Sequence, residues 1–314
     1  MQIPLDGAYA TTQRRITKQR TLFVDPRIRL PEKMLASAAP SDVGRKSAPA
    51  SAASVVLLRD GKRGVEAYLQ IRASTMAFAG GRPAFPGGRI DDGDHDEIRG
   101  WVGPGRSEWA RWLGVDDGNA GAIIAAAVRE TFEESGYLLA SPSDGTDLSD
   151  LTTDDWRKDR ELLSEHKISL ADLLGSRHLH IRTDWLKPWS AWVTPEFEPR
   201  RFHTWFLMAR CPQEQDVLGV SRESISSRWI TPSDALRQAD AGSLPLLPPQ
   251  YCTLLELYGH RDRTSVFSAA REVSTVRPGL ATDDDGTYLD LPDELVELGL
   301  ATAEQMYPNP EGRS

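Results

Sequence analysis

The chain has 314 residues, 39% hydrophobic and 26% charged, with 25 Gly and 21 Pro, a balance that excludes a wholly disordered chain and supplies ample apolar material for a core. Its longest apolar run, residues 123–128, is far short of the ~20 residues that cross a bilayer, and no apolar signal core opens the sequence; the expectation is a soluble, cytoplasmic protein with no membrane partner. A formal charge of −9 argues against general phosphate-backbone binding, and so against a nucleic-acid partner, but it is uneven: residues 1–50 carry +5 and residues 51–314 carry −14.

In chain order, residues 1–51 mix Thr, Gln, Arg and Pro and run into small-residue stretches such as Ser47-Ala48-Pro49-Ala50-Ser51, which reads as a basic arm or linker. Such an arm is draped on the rest of the chain or touches a second subunit, a homodimer. Residues 54–59 and 65–72 are short apolar or alternating runs around Asp60-Gly61, predicting a β-hairpin with its turn there. Residues 76–89 are glycine-rich, with Gly80-Gly81 and Gly87-Gly88 flanking the extended piece Pro83-Ala84-Phe85.

Residues 92–120 are polar and turn-rich and read as an inserted loop with a short helix near 107–113. Residues 120–135 are strong helix formers without Pro, and Gly136 stands where a C-terminal cap falls. Further helices are predicted at 154–166, 170–174 and 233–239, with strands at 191–194, 202–209 and 229–230. That order favours one α/β domain with a mixed sheet. Cys211 and Cys252 have no metal or redox spacing and read as idle or buried thiols. Trp185, Trp189, Trp192 and Trp205 read as core or wall, His178, His180 and His203 as core or surface, and Asp283-Asp284-Asp285-Gly286 as a polar turn.

The informative stretch is Arg129-Glu130-Thr131-Phe132-Glu133-Glu134-Ser135-Gly136-Tyr137. At about 100° per residue, Glu130, Glu133 and Glu134 share one helical face, opposite Val128 and Phe132. Three like charges on a stripe repel; solvent can spread the charge, or divalent cations can bind it, because Mg²⁺ and Mn²⁺ prefer carboxylate oxygen. Spacing alone does not choose between a solvated face and a cation site. Upstream, Phe85-Pro86-Gly87-Gly88-Arg89-Ile90-Asp91 offers a glycine pair where backbone can approach a ligand or the acidic helix closely.

Together, the glycine loop and this helix resemble the Nudix hydrolases, whose pattern is G-x5-E-x7-R-E-U-x-E-E-x-G-U with U a bulky apolar residue. Gly88, Arg129, Glu130, Glu133, Glu134, Gly136 and Tyr137 match it, and Thr131 stands at its first apolar position. Asp94 falls at the family's first glutamate, and residues 95–121 are inserted, which predicts a bulging loop that leaves the helix in place. With Trp192-Val193-Thr194-Pro195-Glu196, Trp229-Ile230-Thr231-Pro232 and Leu246-Leu247-Pro248-Pro249, the chain is similar to the coenzyme A diphosphatase branch over residues 52–260, with residues 261–314 as a C-terminal extension.

The resemblance implies an α/β/α sandwich with a mixed sheet and metal-dependent hydrolysis of a diphosphate linkage in a nucleoside diphosphate derivative. CoA or acyl-CoA, cleaved to 3′,5′-ADP and phosphopantetheine species, is the leading substrate; ADP-ribose, a dinucleotide or a nucleotide sugar is the alternative, and a non-catalytic nucleotide-binding regulator is the reading of another class. Glu130, Glu133 and Glu134 are the implied ligands of Mg²⁺ or Mn²⁺, and Arg129 the residue that orients them. Glu133, Glu134 or Glu223 is the candidate general base, and Gly87, Gly88, Arg72 and Arg89 are candidate substrate contacts.

Overall fold

The long central strand is buried for seven consecutive positions, Ala52 to Leu58, as expected of a strand covered on both faces, and the rest of the fold is arranged around it. The computed structural model describes residues 10–14, 23–29, 48–73, 80–212, 214–219, 224–284 and 286–308. Strands β1 (Ala10–Arg14), β2 (Phe23–Arg29), β3 (Ala50–Gly61), β4 (Gly64–Arg72), β5 (Pro83–Ala84), β6 (Gly87–Arg89) and β7 (Trp101–Val102) precede helices α1 (Arg106–Leu113) and α2 (Asp117–Ser135). Then follow β8 (Ala140–Pro142), α3 (Asp154–Ser164), α4 (Leu170–Ser176), β9 (Leu179–Arg182), β10 (Leu186–Val193), β11 (Phe202–Arg210) and β12 (Ser224–Ile230). Last come α5 (Pro232–Asp240), α6 (Pro248–Tyr258), α7 (Arg263–Ser268), β13 (Thr275–Val276), β14 (Gly279–Asp283), β15 (Gly286–Asp290) and α8 (Asp293–Met306).

The main sheet has the order β12-β4-β3-β11-β10-β13, with β5 on β4 and β6 on β3. Pairs β3–β11 and β10–β13 are parallel and the others antiparallel, so the sheet is mixed. Alternation along β3 sends Ala53, Val55 and Leu57 into one core with Ile123, Ile124 and Phe132 of α2. Val56 and Leu58 enter a second core with Leu254 and Leu255 of α6 and Met306 of α8. Helices therefore cover both faces, the α/β/α sandwich that the resemblance implied.

The hairpin forms, but Asp60 and Gly61 stay in the ladder opposite Val65 and Gly64, and the turn is Lys62-Arg63. Gly64, at φ +119°, takes the conformation that a side chain resists. The larger difference is the insertion. The short helix expected near 107–113 forms as α1, but its Trp109 is 0% exposed in the core against α2, and the inserted segment also carries β7, which pairs with β9 in a three-stranded sheet. In α1 the polar residues face solvent while Trp109, Ala110 and Leu113 share one buried face.

Parts of the basic arm are strands: β1 and β2 join β15 and β14 in a four-stranded sheet. The remainder of residues 1–47 lies outside the described residues. Asp283 pairs with Gly286 at the end of the β14–β15 hairpin, where a polar turn was expected; Asp285 lies outside the described residues. Cys211 and Cys252 are both buried and free. Among the described residues, no helix is long and apolar enough to cross a membrane.

Candidate active site

Helix α2 is fixed at both ends. The Asp116 carboxylate accepts the Asn119 N–H at 2.9 Å, and Gly136 caps the C-terminus at φ +85°. The helix runs over β3 and β6, and Glu130, Glu133 and Glu134 face a cleft of about 590 Å³. Gly87, Gly88, Arg72, Arg89 and Arg129 line the same cleft, so eight sequence-predicted residues meet there. Glu223 lies outside the described residues.

Backbone crowds Gly87, whereas a movable carboxylate crowds Gly88. A Cβ on Gly88 would stand 2.2 Å from Glu130 Oε1, and one on Gly87 would stand 2.4 Å from the Ala53 carbonyl oxygen. Gly87 also donates its N–H to Glu134 Oε2 at 2.7 Å, and Gln70 Nε2 donates to the same oxygen. Gln70 is itself held by Ser224, whose hydroxyl donates to Gln70 Oε1 at 2.7 Å. Arg72 stands 3.7 Å from Glu134 Oε1, and its Nε is a buried donor with no partner.

Arg129, 4% exposed, ties the cluster together. Its Nε and Nη2 donate to the two oxygens of Asp94 at 2.8 Å each, its Nη2 to the Arg89 carbonyl at 2.9 Å, and its Nη1 to Glu130 Oε1 at 2.9 Å and Glu133 Oε1 at 3.3 Å. Burial works to lower the Arg129 pKa, but the Asp94 hydrogen bonds and the charges of Glu130, Asp94 and Glu133 raise it overall.

The carboxylates are not the solvated stripe that spacing allows. Burial, only partly offset by Arg129, pushes Glu133 up to about 7. Glu130 is raised by burial against the pull of Arg129. Glu134 is raised by burial and by the Glu130 charge, against Arg72, the Gly87 N–H and Gln70. Arg129 thus faces Asp94, Glu130 and Glu133 while Arg72 stands beside Glu134, and a divalent cation would favour the ionised form of the glutamates that burial opposes.

Oxygen donors on a desolvated face fit a hard cation such as Mg²⁺ or Mn²⁺. Among the described residues, no three acidic, His or Cys side chains form a ready-made cage, because Arg129, Gln70 and the Gly87 N–H hold oxygens of the three glutamates. The donor set fits; binding requires those contacts to be shared.

Sequence reasoning did not find Gln70, or α3, which forms the far wall. Arg160 donates to the Glu133 carbonyl at 3.0 and 2.8 Å and to the Gly219 carbonyl at 2.9 Å, while Arg157 lines the cleft. Their separation in sequence gave no signal. Asp94 carried one, since it stands at the first acidic position of the pattern.

Residues 118–257 match the family model described as the NUDT19 Nudix domain. The chain is 27% identical over 231 residues to the acyl-coenzyme A diphosphatase NUDT19 of Xenopus laevis, covering 61% of this chain and 59% of that protein. It is 28% identical over 228 residues to the human protein of the same name, covering 60% and 59%. The chain thus spans about 60% of the length of these curated relatives. Among solved structures, a NUDIX hydrolase from Alicyclobacillus acidocaldarius superposes with a TM-score of 0.60 at 26% identity, covering 72% of this chain and 98% of that one. With the glycine strand, the capped acidic helix and the mixed sheet in place, the chain is similar to the Nudix hydrolases over these matched residues.

Proposed function

We propose that the protein hydrolyses the diphosphate linkage of CoA or an acyl-CoA, with Mg²⁺ or Mn²⁺, giving 3′,5′-ADP and the (acyl-)phosphopantetheine. The observation that carries this is the convergence of Glu130, Glu133 and Glu134 from one helix on a cleft closed by Gly87 and Gly88 and flanked by Arg72 and Arg89. The CoA moiety rests on the likeness to the NUDT19 relatives.

A diphosphate resists attack because its oxygens repel a nucleophile; Glu130, Glu133 and Glu134 would hold a divalent cation, which would supply charge neutralisation and acidify a water. Arg129 positions Glu130 and Glu133 through Nη1, and its pair with Asp94 fixes the guanidinium in turn. Glu134 is pinned by Gly87 and Gln70, whereas the Glu133 carboxylate has a single contact of 3.3 Å to Arg129; Glu133 is therefore the freer group to take the proton of the attacking water. Arg72 and Arg89 receive the substrate phosphates.

The test is a hydrolysis panel with Mg²⁺ or Mn²⁺ on CoA, acyl-CoA, NADH, ADP-ribose and nucleoside triphosphates, with products identified. Release of 3′,5′-ADP from CoA or acyl-CoA is expected. Turnover of ADP-ribose, NADH or nucleoside triphosphates in preference to both would overturn the CoA assignment, and cation-independent turnover would overturn the metal assignment.

A further inference from the structure

Strand β4 alternates Tyr68, Gln70 and Arg72 onto the side of α2, where Tyr68 enters the core and Gln70 and Arg72 meet Glu134. Gln70 is 0% exposed, and its backbone is fixed on both sides, by Ser227 of β12 and Ala84 of β5. An amide so deeply buried is costly unless both its ends are paired. Its Nε2 donates to Glu134 Oε2, and its Oε1 accepts the Ser224 hydroxyl at 2.7 Å. Ser224, itself buried, reaches it through an irregularity in the sheet: Ser227 and Ser226 stand opposite Gln70 and Ile71, then Ile225 is passed over and Ser224 stands opposite Arg72. In an unbroken ladder Ser224 would fall beyond Arg72, the last residue of β4; the bulge draws it back within reach of the amide. Neither Ser224 nor Gln70 lines the acidic cleft, so neither touches a substrate there.

The order of these bonds fixes the direction of the amide. An ionised glutamate, the form that a cation requires, only accepts hydrogen bonds, so the amide must present its NH₂ to Glu134 and its oxygen to Ser224, whose hydroxyl must then donate. With the Gly87 N–H on the same atom at 2.7 Å, Glu134 Oε2 is held by two donors. Oε1 has Arg72 Nη1 at 3.7 Å, beyond hydrogen-bond reach, and is the oxygen left for a cation. Without the Ser224 hydroxyl the amide can turn over, and its oxygen would then face the carboxylate, two acceptors that repel. We propose that Ser224 and Gln70 are positioning residues for the cation: the hydroxyl sets the direction of the amide, and the amide sets Glu134 so that Oε1 serves as the ligand. This rests on the reading of Glu130, Glu133 and Glu134 as cation ligands. A serine on the edge strand of the sheet, touching neither cation nor substrate, thus governs how tightly the cation is held.

The experiment measures the cation directly. Mn²⁺ binding to the substrate-free protein, followed by electron paramagnetic resonance, is compared in the wild type, Ser224→Ala, Ser224→Thr, Gln70→Met and the double variant Ser224→Ala with Gln70→Met, with circular dichroism verifying that each folds. Loss of an outer partner of a metal ligand costs about 10–100-fold in affinity, so the Kd for Mn²⁺ should rise by that much in Ser224→Ala and in Gln70→Met. Ser224→Thr keeps the hydroxyl and should bind as the wild type does. Because the serine acts through the amide, the double variant should bind no more weakly than Gln70→Met. Should Gln70→Met fail to fold, Ser224→Ala against Ser224→Thr decides alone. Unchanged Mn²⁺ affinity in a folded Ser224→Ala, or additive losses in the double variant, would overturn the positioning role and leave the cation site standing. A wild type that binds no Mn²⁺ would overturn the cation reading and this proposal together. Coupled losses of Mn²⁺ affinity in a protein that hydrolyses no diphosphate would support the positioning role and overturn the hydrolytic reading alone.

Discussion

Arg129 and Asp94 form a two-pronged ion pair, 2.8 Å on each prong, between the acidic helix and the turn that follows the glycine strand. Asp94 is 2% exposed, and both its oxygens are committed to the guanidinium or to the Asp91 N–H, which donates at 2.8 Å. It stands where the Nudix pattern has its first glutamate, yet in this chain it braces the arginine that braces Glu130 and Glu133.

Asp94→Asn should therefore destabilise the cation-free protein, by about 3 kcal/mol, because it leaves a buried guanidinium short of its main counter-charge. Urea melts in EDTA check this. A group acting solely as a cation ligand would instead leave the cation-free stability unchanged and weaken Mg²⁺ binding.

Glu133→Gln and Glu134→Gln should each lower kcat by about 10²–10⁴-fold while the thermal midpoint in EDTA is unchanged or rises. The amide removes a buried negative charge that burial opposes, so the fold does not depend on it. Wild-type kcat in either variant would remove that residue from the mechanism.

The acidic helix was legible because its determinants are local: three glutamates at helical spacing, Gly136 as cap, Gly88 and Arg129 at pattern positions. The central strands were legible for the same reason, as apolar runs. Gln70 and Arg160 were not, since their roles arise from contacts made 64 and 27 residues away along the chain; Asp94 was marked by its pattern position, but its pairing with Arg129, 35 residues on, was not. The short helix of the insertion was legible but its burial was not, because Trp109 and Leu113 are buried by a partner helix, and polarity averaged over a window hides two such anchors.

Gly88→Ala separates the needs of the fold from those of the site. Its Cβ would collide with the end of the Glu130 side chain, at 2.2 Å from Oε1 and 2.6 Å from Cδ, and that end can swing aside. Stability should change by about 1 kcal/mol or less. The displaced carboxylate should cost at least tenfold in kcat/KM at fixed Mg²⁺, with part of the loss recovered at higher Mg²⁺ concentration. Unaltered kinetics would show that the position of Glu130 is unimportant.

The raised carboxylates also link stability, pH and cation. A carboxyl group whose folded pKa lies above its unfolded value, near 4.3, binds its proton more tightly when folded. It stabilises the fold below the unfolded pKa, and that contribution is lost as pH rises through the folded pKa, which for Glu133 is about 7. Glu130 and Glu134 move in the same direction. In EDTA the site should therefore weaken the fold between about pH 5 and 8, by up to about 1.4 kcal/mol per pH unit for each group while it titrates. A divalent cation competes with those protons and compensates the ionised cluster, so the rise in Tm produced by saturating Mg²⁺ should be larger at pH 8 than at pH 6. Thermal melts at both pH values, with Mg²⁺ and with EDTA, measure the difference. A Mg²⁺ shift of the same size at both, or one that survives in Glu133→Gln combined with Glu134→Gln, would place the cation elsewhere.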